Sequence, residues 1–172
     1  MIGIGAAAVG AAIGAPRLRL SEPAPPAAKP EPHDERASRV APATEEVRAL
    51  FGSLGEGSAI SSHWRIESLH AVRSGAIPVV MSTIYGGRFA VEIFRDDPSG
   101  PPPIARAGGL ALKLVNRGDG GSRTDELRGL GVMALGRALE ARLADGAPVP
   151  SGLQTFAERM ARDPHGAFDV PV

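Results

Sequence analysis

The chain has 172 residues, a length that corresponds to one domain. It carries 19 Lys and Arg residues against 19 Asp and Glu residues, so it lacks the basic excess with which a nucleic-acid-binding protein meets phosphates. It contains no cysteine, which excludes disulfide bonds, thiolate catalysis and cysteine ligation of iron–sulfur clusters or haem.

The N-terminal segment, residues 1–15, reads MIGIGAAAVGAAIGA and is apolar and uncharged. A transmembrane helix needs about 20 apolar residues, whereas the hydrophobic region of a signal peptide has about 7–15. The segment resembles the hydrophobic part of a twin-arginine (Tat) export signal, without the Arg-Arg region that precedes it in such signals. The resemblance implies a periplasmic or exported protein with at most an N-terminal membrane association. It also predicts an in-frame Arg-Arg-containing extension upstream of Met1.

Residues 16–43 hold seven prolines and hardly any large apolar side chains. Because proline fixes φ and removes a hydrogen-bond donor, this stretch is predicted to be a disordered, extended Pro/Ala-rich linker. A single folded domain is then expected over residues 44–172. Its first helix begins after Thr44, a good N-cap residue that is followed by two acidic residues, and ends at Gly52.

Four strands are predicted after this helix, over residues 63–72, 77–85, 88–95 and 110–116. In the first of them, alternation places one set of side chains on a common face: Trp64, Ile66, Ser68, His70 and Val72. Gly86 and Gly87 between the second and third strands predict a type I′ or II′ hairpin turn. Short connections favour a four-stranded antiparallel meander over βαβ units, so the predicted class is α+β, with about three helices.

Two helices are predicted to complete the domain. The long one begins at Ser122 or Thr124 and ends near Ala144. Its apolar stripe consists of Leu127, Leu130, Ala134, Leu135, Ala138 and Leu139. The last helix begins at Ser151, with Gln154 at the capping-box position. Its predicted apolar face consists of Leu153, Phe156, Ala157 and Met160.

Three glycines, Gly129, Gly131 and Gly136, interrupt the long helix, and each costs up to about 1 kcal/mol of helix stability relative to alanine. Two explanations are open. The glycines allow the helix to lie close against the sheet, or they admit a ligand or partner. We favour close packing.

The weak candidates for a binding site are His70, Asn116, Asp119 and Thr124. The glycine-rich loop from Asn116 to Thr124 precedes a helix N-terminus, which can receive an anion on free N–H groups. It lacks the spacing of a P-loop or of a dinucleotide-binding motif, and it lacks the ligand series of a calcium loop. A plain loop that ends in a helix cap explains it better.

The sequence predicts no metal site, no cofactor and no catalytic residues. No HExxH or GxSxG pattern occurs, and His70 is interpreted as a hydrogen-bonded histidine at the margin of the core. Glu67 and Glu92 offer a carboxylate pair across strands, but we interpret them as solvated surface acids.

Two functional hypotheses follow. The favoured one is an exported, non-catalytic accessory or binding protein with a protein partner and no nucleic-acid partner. Because twin-arginine signals are typical of cofactor-loaded redox enzymes, a small subunit or assembly factor of a periplasmic redox enzyme is its natural form. The alternative is a small ligand-binding or enzymatic domain that uses the Asn116–Thr124 loop together with His70.

Overall fold

The computed structural model describes residues 41–115 and 121–162. These residues form three helices and five strands, in the order α1 (Glu45–Phe51), β1 (Trp64–Leu69), β2 (Ile77–Thr83), β3 (Arg88–Arg95), β4 (Ala105–Ala107), β5 (Leu110–Leu114), α2 (Gly121–Ala144) and α3 (Phe156–Arg162). The predicted α+β class is confirmed, but the antiparallel sheet has five strands, not four. Within this part of the chain, no helix is long and apolar enough to cross a membrane.

The strand that the sequence missed is β4, at the edge of a sheet with the order β1-β2-β3-β5-β4. Gly108 and Gly109 connect it to β5, and their φ angles of 47° and 83° are those that a type I′ turn requires. Three residues are too few to show alternation, and prolines precede them, so no strand signal was visible. Because β5 lies between β3 and β4, the sheet is not a simple meander.

The hairpin between β2 and β3 has a wider loop than the predicted two-glycine turn. The Thr83 N–H donates to the Gly87 carbonyl at 2.8 Å, and the Gly86 N–H donates to the Thr83 carbonyl at 3.0 Å. Only Gly86 has a positive φ, of 84°, so the loop consists of three residues that end in a left-handed glycine. Ile84 and Tyr85 therefore form the tip of the hairpin.

The predicted common face of β1 is correct only as far as Ile66. Beyond it, the pairing with β2 shifts by one residue at Glu67, which forms a β-bulge. A one-residue shift exchanges the two faces of a strand, so Leu69 enters the core in place of Ser68. Ser68 and His70, whose side chains hydrogen-bond to each other, lie on the face opposite to Ile66.

The main core lies between one face of the sheet and the helices α1 and α2. Its largest buried side chains are Leu50, Phe51, Ile66, Ile77, Met81, Phe89, Ile93, Leu110, Leu112, Leu135 and Leu139. α1 has the predicted ends, because the Thr44 hydroxyl accepts the Val47 N–H at 3.5 Å and Gly52 follows the last turn with a φ of 57°.

Helix α2 ends where the sequence predicted, but Leu127 and Leu130 of its second and third turns, which belong to the predicted stripe, are not buried. Leu127 and Leu130 are 51% and 54% exposed, whereas Val132, Leu135 and Leu139 are fully buried. In these turns, the side of the helix that meets the sheet is offset from the predicted stripe by one residue, which corresponds to about 100° around the helix axis. The two exposed leucines consequently contribute to the surface beside the β2–β3 hairpin.

The second face of the sheet receives α3. The Thr155 hydroxyl accepts the Glu158 N–H at 3.2 Å, and the Glu158 carboxylate accepts the Thr155 N–H at 2.7 Å, which is a capping box. The predicted cap at Ser151 and Gln154 is therefore wrong by four residues. The predicted apolar face is also wrong in part, because Arg159 is the buried side chain of α3 and Met160 is 41% exposed.

Residues 41–43, at the end of the predicted linker, contact the sheet. The Ala71 N–H donates to the Ala41 carbonyl at 3.1 Å, Pro42 forms a bridge with His70, and Ala43 is buried. The ordered contacts of the domain thus begin before Thr44.

Candidate functional site

A cleft of about 510 Å³ opens between the tip of the β2–β3 hairpin and the first half of α2. We call it the hairpin cleft. Its lining residues are His63, Trp64, Thr83, Tyr85, Gly87, Arg88, Phe89, Thr124, Leu127, Arg128 and Leu130. Its volume is within the range of about 300–1,000 Å³ that is usual for ligand pockets.

The floor of the hairpin cleft is a pair of aromatic rings. Trp64 and Phe89 meet edge to face, with ring centroids 5.8 Å apart and planes at 89°. Gly131 of α2 lies against both rings, because a β-carbon at this position would be 2.7 Å from Phe89 Cζ and 3.0 Å from Trp64 Cε3. The glycine therefore allows the helix to approach the floor closely, which supports the packing explanation at Gly131.

Gly136 has a similar role, whereas Gly129 does not. A β-carbon at Gly136 would be 2.9 Å from the Ala105 β-carbon on β4, so this glycine also permits close contact with the sheet. A β-carbon at Gly129 would meet nothing within 4 Å. The packing explanation therefore covers two of the three glycines of the helix.

Three exposed apolar side chains line the cleft, Tyr85, Leu127 and Leu130, and a fourth, Ile84, is exposed next to Tyr85 at the hairpin tip. We call these four residues the apolar rim. The exposed fractions of Ile84, Tyr85, Leu127 and Leu130 are 61%, 84%, 51% and 54%. Among the described residues, the other large apolar side chains with comparable exposure are Ile104, Met133, Val149 and Met160. Half of this exposed apolar material is therefore concentrated at one feature, which is the pattern expected of an interaction surface.

The polar groups at the cleft are basic or hydroxylic. Arg88 of β3 pairs with the Glu67 carboxylate of β1, and Arg128 of α2 pairs with Asp125 at 3.4 Å. The Thr83 hydroxyl is engaged within the hairpin, where it accepts the Gly87 N–H at 3.1 Å. No Asp or Glu is among the residues that line the cleft.

Of the two weak site candidates that the structure describes, His70 and Thr124, only Thr124 lies at this cleft. Trp64, on the floor, is the first residue of β1, and His70 directly follows its last residue, about 20 Å away at the usual rise of a strand. His70 is therefore not brought together with Thr124. Asn116 and Asp119 lie outside the described residues.

His70 is a half-buried histidine whose Nε2 lies 2.9 Å from the Ser68 hydroxyl. Burial disfavours the imidazolium and lowers the pKa of His70, while the Glu56 carboxylate and the Ala41 carbonyl act in the opposite direction. These contacts agree with its interpretation as a hydrogen-bonded residue at the margin of the core.

A second group of polar residues, on the other face of the sheet, was not predicted. Glu92 and Arg159 form an ion pair at 2.9 Å, with side chains only 5% and 7% exposed. Burial raises the pKa of Glu92 to about 7, although the Arg159 guanidinium opposes this shift. The interpretation of Glu92 as a solvated surface acid is therefore wrong. One signal was available, because Glu92 alternates with Ala90 and Phe94 on one strand face.

The ion pair belongs to the contact between α3 and the sheet. Phe156 meets Phe94 edge to face at 5.5 Å, and Lys113 Nζ lies 3.4 Å from the centroid of the Phe156 ring. Lys113 is also the cross-strand neighbour of Glu92. The group thus joins two strands and one helix, and we interpret it as a structural contact.

No group of three His, Asp or Glu side chains in the described ranges is arranged to hold a metal ion. Comparison of the chain with known protein families, with curated proteins and with solved structures finds no match. The features of the hairpin cleft that bear on its chemistry are an aromatic floor, an apolar rim, two guanidinium groups and the Thr124 side chain.

Proposed function

We propose that this protein is an exported, non-catalytic accessory protein that binds a partner protein through the hairpin cleft and the apolar rim. The observation that carries the proposal is the exposure of Tyr85, Leu127 and Leu130 in the lining of an apolar cleft, with Ile84 exposed next to Tyr85. Each large apolar side chain gains about 1.5–3 kcal/mol on full burial, so a partner that covers this rim acquires useful binding energy.

The edges of the sheet favour side-chain docking over addition of a strand. β1 is an edge strand, but residues 57–60 already cover it: the Gly57 N–H donates to the Ile66 carbonyl at 2.7 Å, and the Ile60 N–H donates to the Trp64 carbonyl at 2.9 Å. The opposite edge, β4, is only three residues long. Neither edge offers the long unpaired strand that β-augmentation uses.

The location of the protein is part of the same proposal. The apolar segment 1–15 resembles the hydrophobic part of a twin-arginine export signal, and the Pro/Ala-rich stretch after it suits a tether. Proteins exported with such signals are typically redox enzymes and the subunits that accompany them. We therefore propose a small subunit or assembly factor of a periplasmic redox enzyme as the specific form of this function.

The test is selective cross-linking in the periplasm of the native bacterium. A tagged chain is cross-linked, purified under denaturing conditions and compared with its Leu127→Asp variant. Val149→Asp is the matched control, because Val149 is similarly exposed, at 46%, but does not line the cleft. We expect a defined adduct with the parent chain and with Val149→Asp that is lost in Leu127→Asp.

Equal adducts in all three proteins would place the partner elsewhere and reject the cleft as the docking surface. Recovery of the tagged chain from the cytoplasm alone, with its N-terminus intact, would reject export.

A small ligand-binding domain is the second candidate, and one observation favours it: Thr124, from the predicted loop, lines a cleft whose volume suits a small molecule. Its enzymatic form, which requires His70 in the same site, has no geometric support. Native mass spectrometry of the protein purified from its own host distinguishes the two candidates. A co-purifying small molecule that is lost in Leu127→Asp would favour this second function.

A further inference from the structure

The hairpin cleft combines an apolar floor with positive charge and has no acidic residue in its lining. Given the proposed function, on which this step rests, we infer that the partner segment presents a carboxylate directly beside a large apolar side chain. The apolar side chain occupies the space over Trp64 and Phe89, and the carboxylate meets the guanidinium groups of Arg88 and Arg128.

Arg88 is placed for this contact by the sheet. It is the first residue of β3, directly precedes Phe89 in the chain and is one of the residues that line the cleft, so it lies at the margin of the aromatic floor. Its own side chain is 55% exposed, and it pairs with Glu67. A guanidinium carries five N–H donors, and a single carboxylate does not engage all of them. An exposed pair of this kind contributes only about 0–1 kcal/mol, so it rearranges at small cost when a second anion arrives.

Arg128 brings a second guanidinium from a different element. It lies on α2 between Leu127 and Leu130, and its side chain is only 19% exposed. It is held by Asp125 at 3.4 Å, one turn earlier on the same helix. A carboxylate in the cleft therefore meets positive charge from β3 and from α2, on a floor of low polarity where such contacts are strengthened.

The occupant is a polypeptide segment because the apolar surface extends beyond the cleft. Ile84 does not line the cleft, yet it is 61% exposed at the same hairpin tip, next to Tyr85. A small molecule held inside the cleft leaves Ile84 in water, whereas a peptide that enters it continues over the rim. A cleft of about 510 Å³ accommodates one or two large side chains of such a segment.

The test uses the full chain and its single tryptophan. Trp64 is the sole Trp of the sequence and lies on the cleft floor, so its fluorescence reports occupancy directly. Four peptides are titrated at low salt. The first three are acetyl-Ala-Leu-Phe with a free α-carboxylate, the same peptide as its amide, and acetyl-Ala-Leu-Ser with a free carboxylate. The fourth is acetyl-Ala-Asp-Phe amide, which carries the acid on a side chain and so distinguishes an internal acidic segment from a C-terminus.

We expect saturable binding of the Phe acid about tenfold tighter than that of its amide, which is the usual size of a charge-assisted contact. Added salt should reduce this difference. Arg88→Gln should lower the affinity for the acid towards that for the amide. Arg106→Gln is the matched control and should change nothing. Arg106 also forms an exposed pair, with Asp96, and is 53% exposed, but it lies outside the cleft.

Three outcomes would overturn the inference, and they differ in what they leave standing. If the acid and the amide bind equally and Leu127→Asp abolishes the binding of both, the cleft does not recognise a carboxylate, but it remains an apolar docking surface. Equal binding of the Phe and Ser acids would remove the apolar requirement. Absence of saturation with all four peptides at millimolar concentration would overturn both the inference and the assignment of the cleft as a peptide-docking surface.

Discussion

Arg159 of α3 donates to Glu92 of β3 at 2.9 Å, and both side chains are almost completely buried. α3 has only seven residues, and Arg159 is its buried side chain. An isolated helix of two turns is unstable in water, so α3 depends on its contacts with the sheet. The ion pair is flanked by the Phe94–Phe156 ring contact, and the Arg159 guanidinium lies 5.7 Å from the Phe94 ring.

The first prediction concerns the removal of one partner of this pair. Arg159→Met should lower the free energy of unfolding by about 3–5 kcal/mol near pH 8, because it leaves the Glu92 carboxylate buried without compensation. The double variant Glu92→Leu with Arg159→Met should recover most of the loss. Arg106→Met, which removes an exposed pair, should cost less than about 1 kcal/mol. Urea denaturation measures all three, and a double variant as unstable as the single one would contradict this account.

The second prediction is a pH dependence of stability. The pKa of Glu92 is about 7 in the folded chain and 4.5 in the reference state, so the folded chain binds this proton more tightly than the unfolded chain. Stability from this group is therefore greatest below pH 4.5 and falls as the pH rises from 4.5 to 7. Glu92→Gln imitates the protonated form. Relative to that of the parent chain, its free energy of unfolding should therefore increase by up to about 3 kcal/mol as the pH rises from 4.5 to 7.

The lowered pKa of His70 has the opposite effect, because it makes the stability rise with pH up to about 6.5. The contribution of Glu92 is therefore isolated by the difference in unfolding free energy between the parent chain and Glu92→Gln at each pH. Unfolding free energies of both chains at matched pH values provide the measurement. Parallel profiles for the parent and Glu92→Gln would show that Glu92 does not titrate in this range.

Helix ends could be predicted from the sequence where all the residues that determine them lie in one short segment. Thr44 and Gly52 bound α1 as expected, because a cap and a terminating glycine act within a few residues of the helix. The strand faces were predicted less well. The bulge at Glu67 exchanges the faces of β1, and the alternation of apolar and polar residues in that segment does not predict an unpaired residue.

The hairpin cleft and the Glu92–Arg159 pair could be predicted from the sequence only in part, because each of them joins segments that are distant in the chain. The sequence predicts Thr124 as a helix cap, whereas its cleft neighbours Trp64 and Phe89 come from β1 and β3, far away in the chain. Arg159 lies 67 residues after Glu92, so no periodic pattern contains both partners. Charged residues are assigned to the surface by default, and only a tertiary contact reverses that assignment.

The third prediction concerns the start of α3. Thr155→Ala should lower the free energy of unfolding by about 1 kcal/mol, because the Glu158 N–H loses its acceptor. Thr155→Ser retains a hydroxyl at the same position and should remain within a few tenths of a kcal/mol of the parent chain. Thermal denaturation distinguishes the variants. If Thr155→Ala and Thr155→Ser melt together, the capping box contributes nothing measurable.

The last prediction separates two glycines of α2 that the sequence could not tell apart. At Gly131, a β-carbon would already be 2.7 Å from Phe89 Cζ, and the ring is held by Trp64 at its edge. Gly131→Leu should therefore overpack the contact and cost about 1–3 kcal/mol, more than the helix propensity of up to about 1 kcal/mol that it gains. Gly129 has no neighbour within 4 Å of such a carbon, so Gly129→Leu should leave stability unchanged or raise it. Melting temperatures of both variants, measured side by side, provide the test. A Gly131→Leu chain that melts at or above the parent temperature would show that α2 does not rest on the aromatic floor, and that the space beside Gly131 is open to a ligand or a partner.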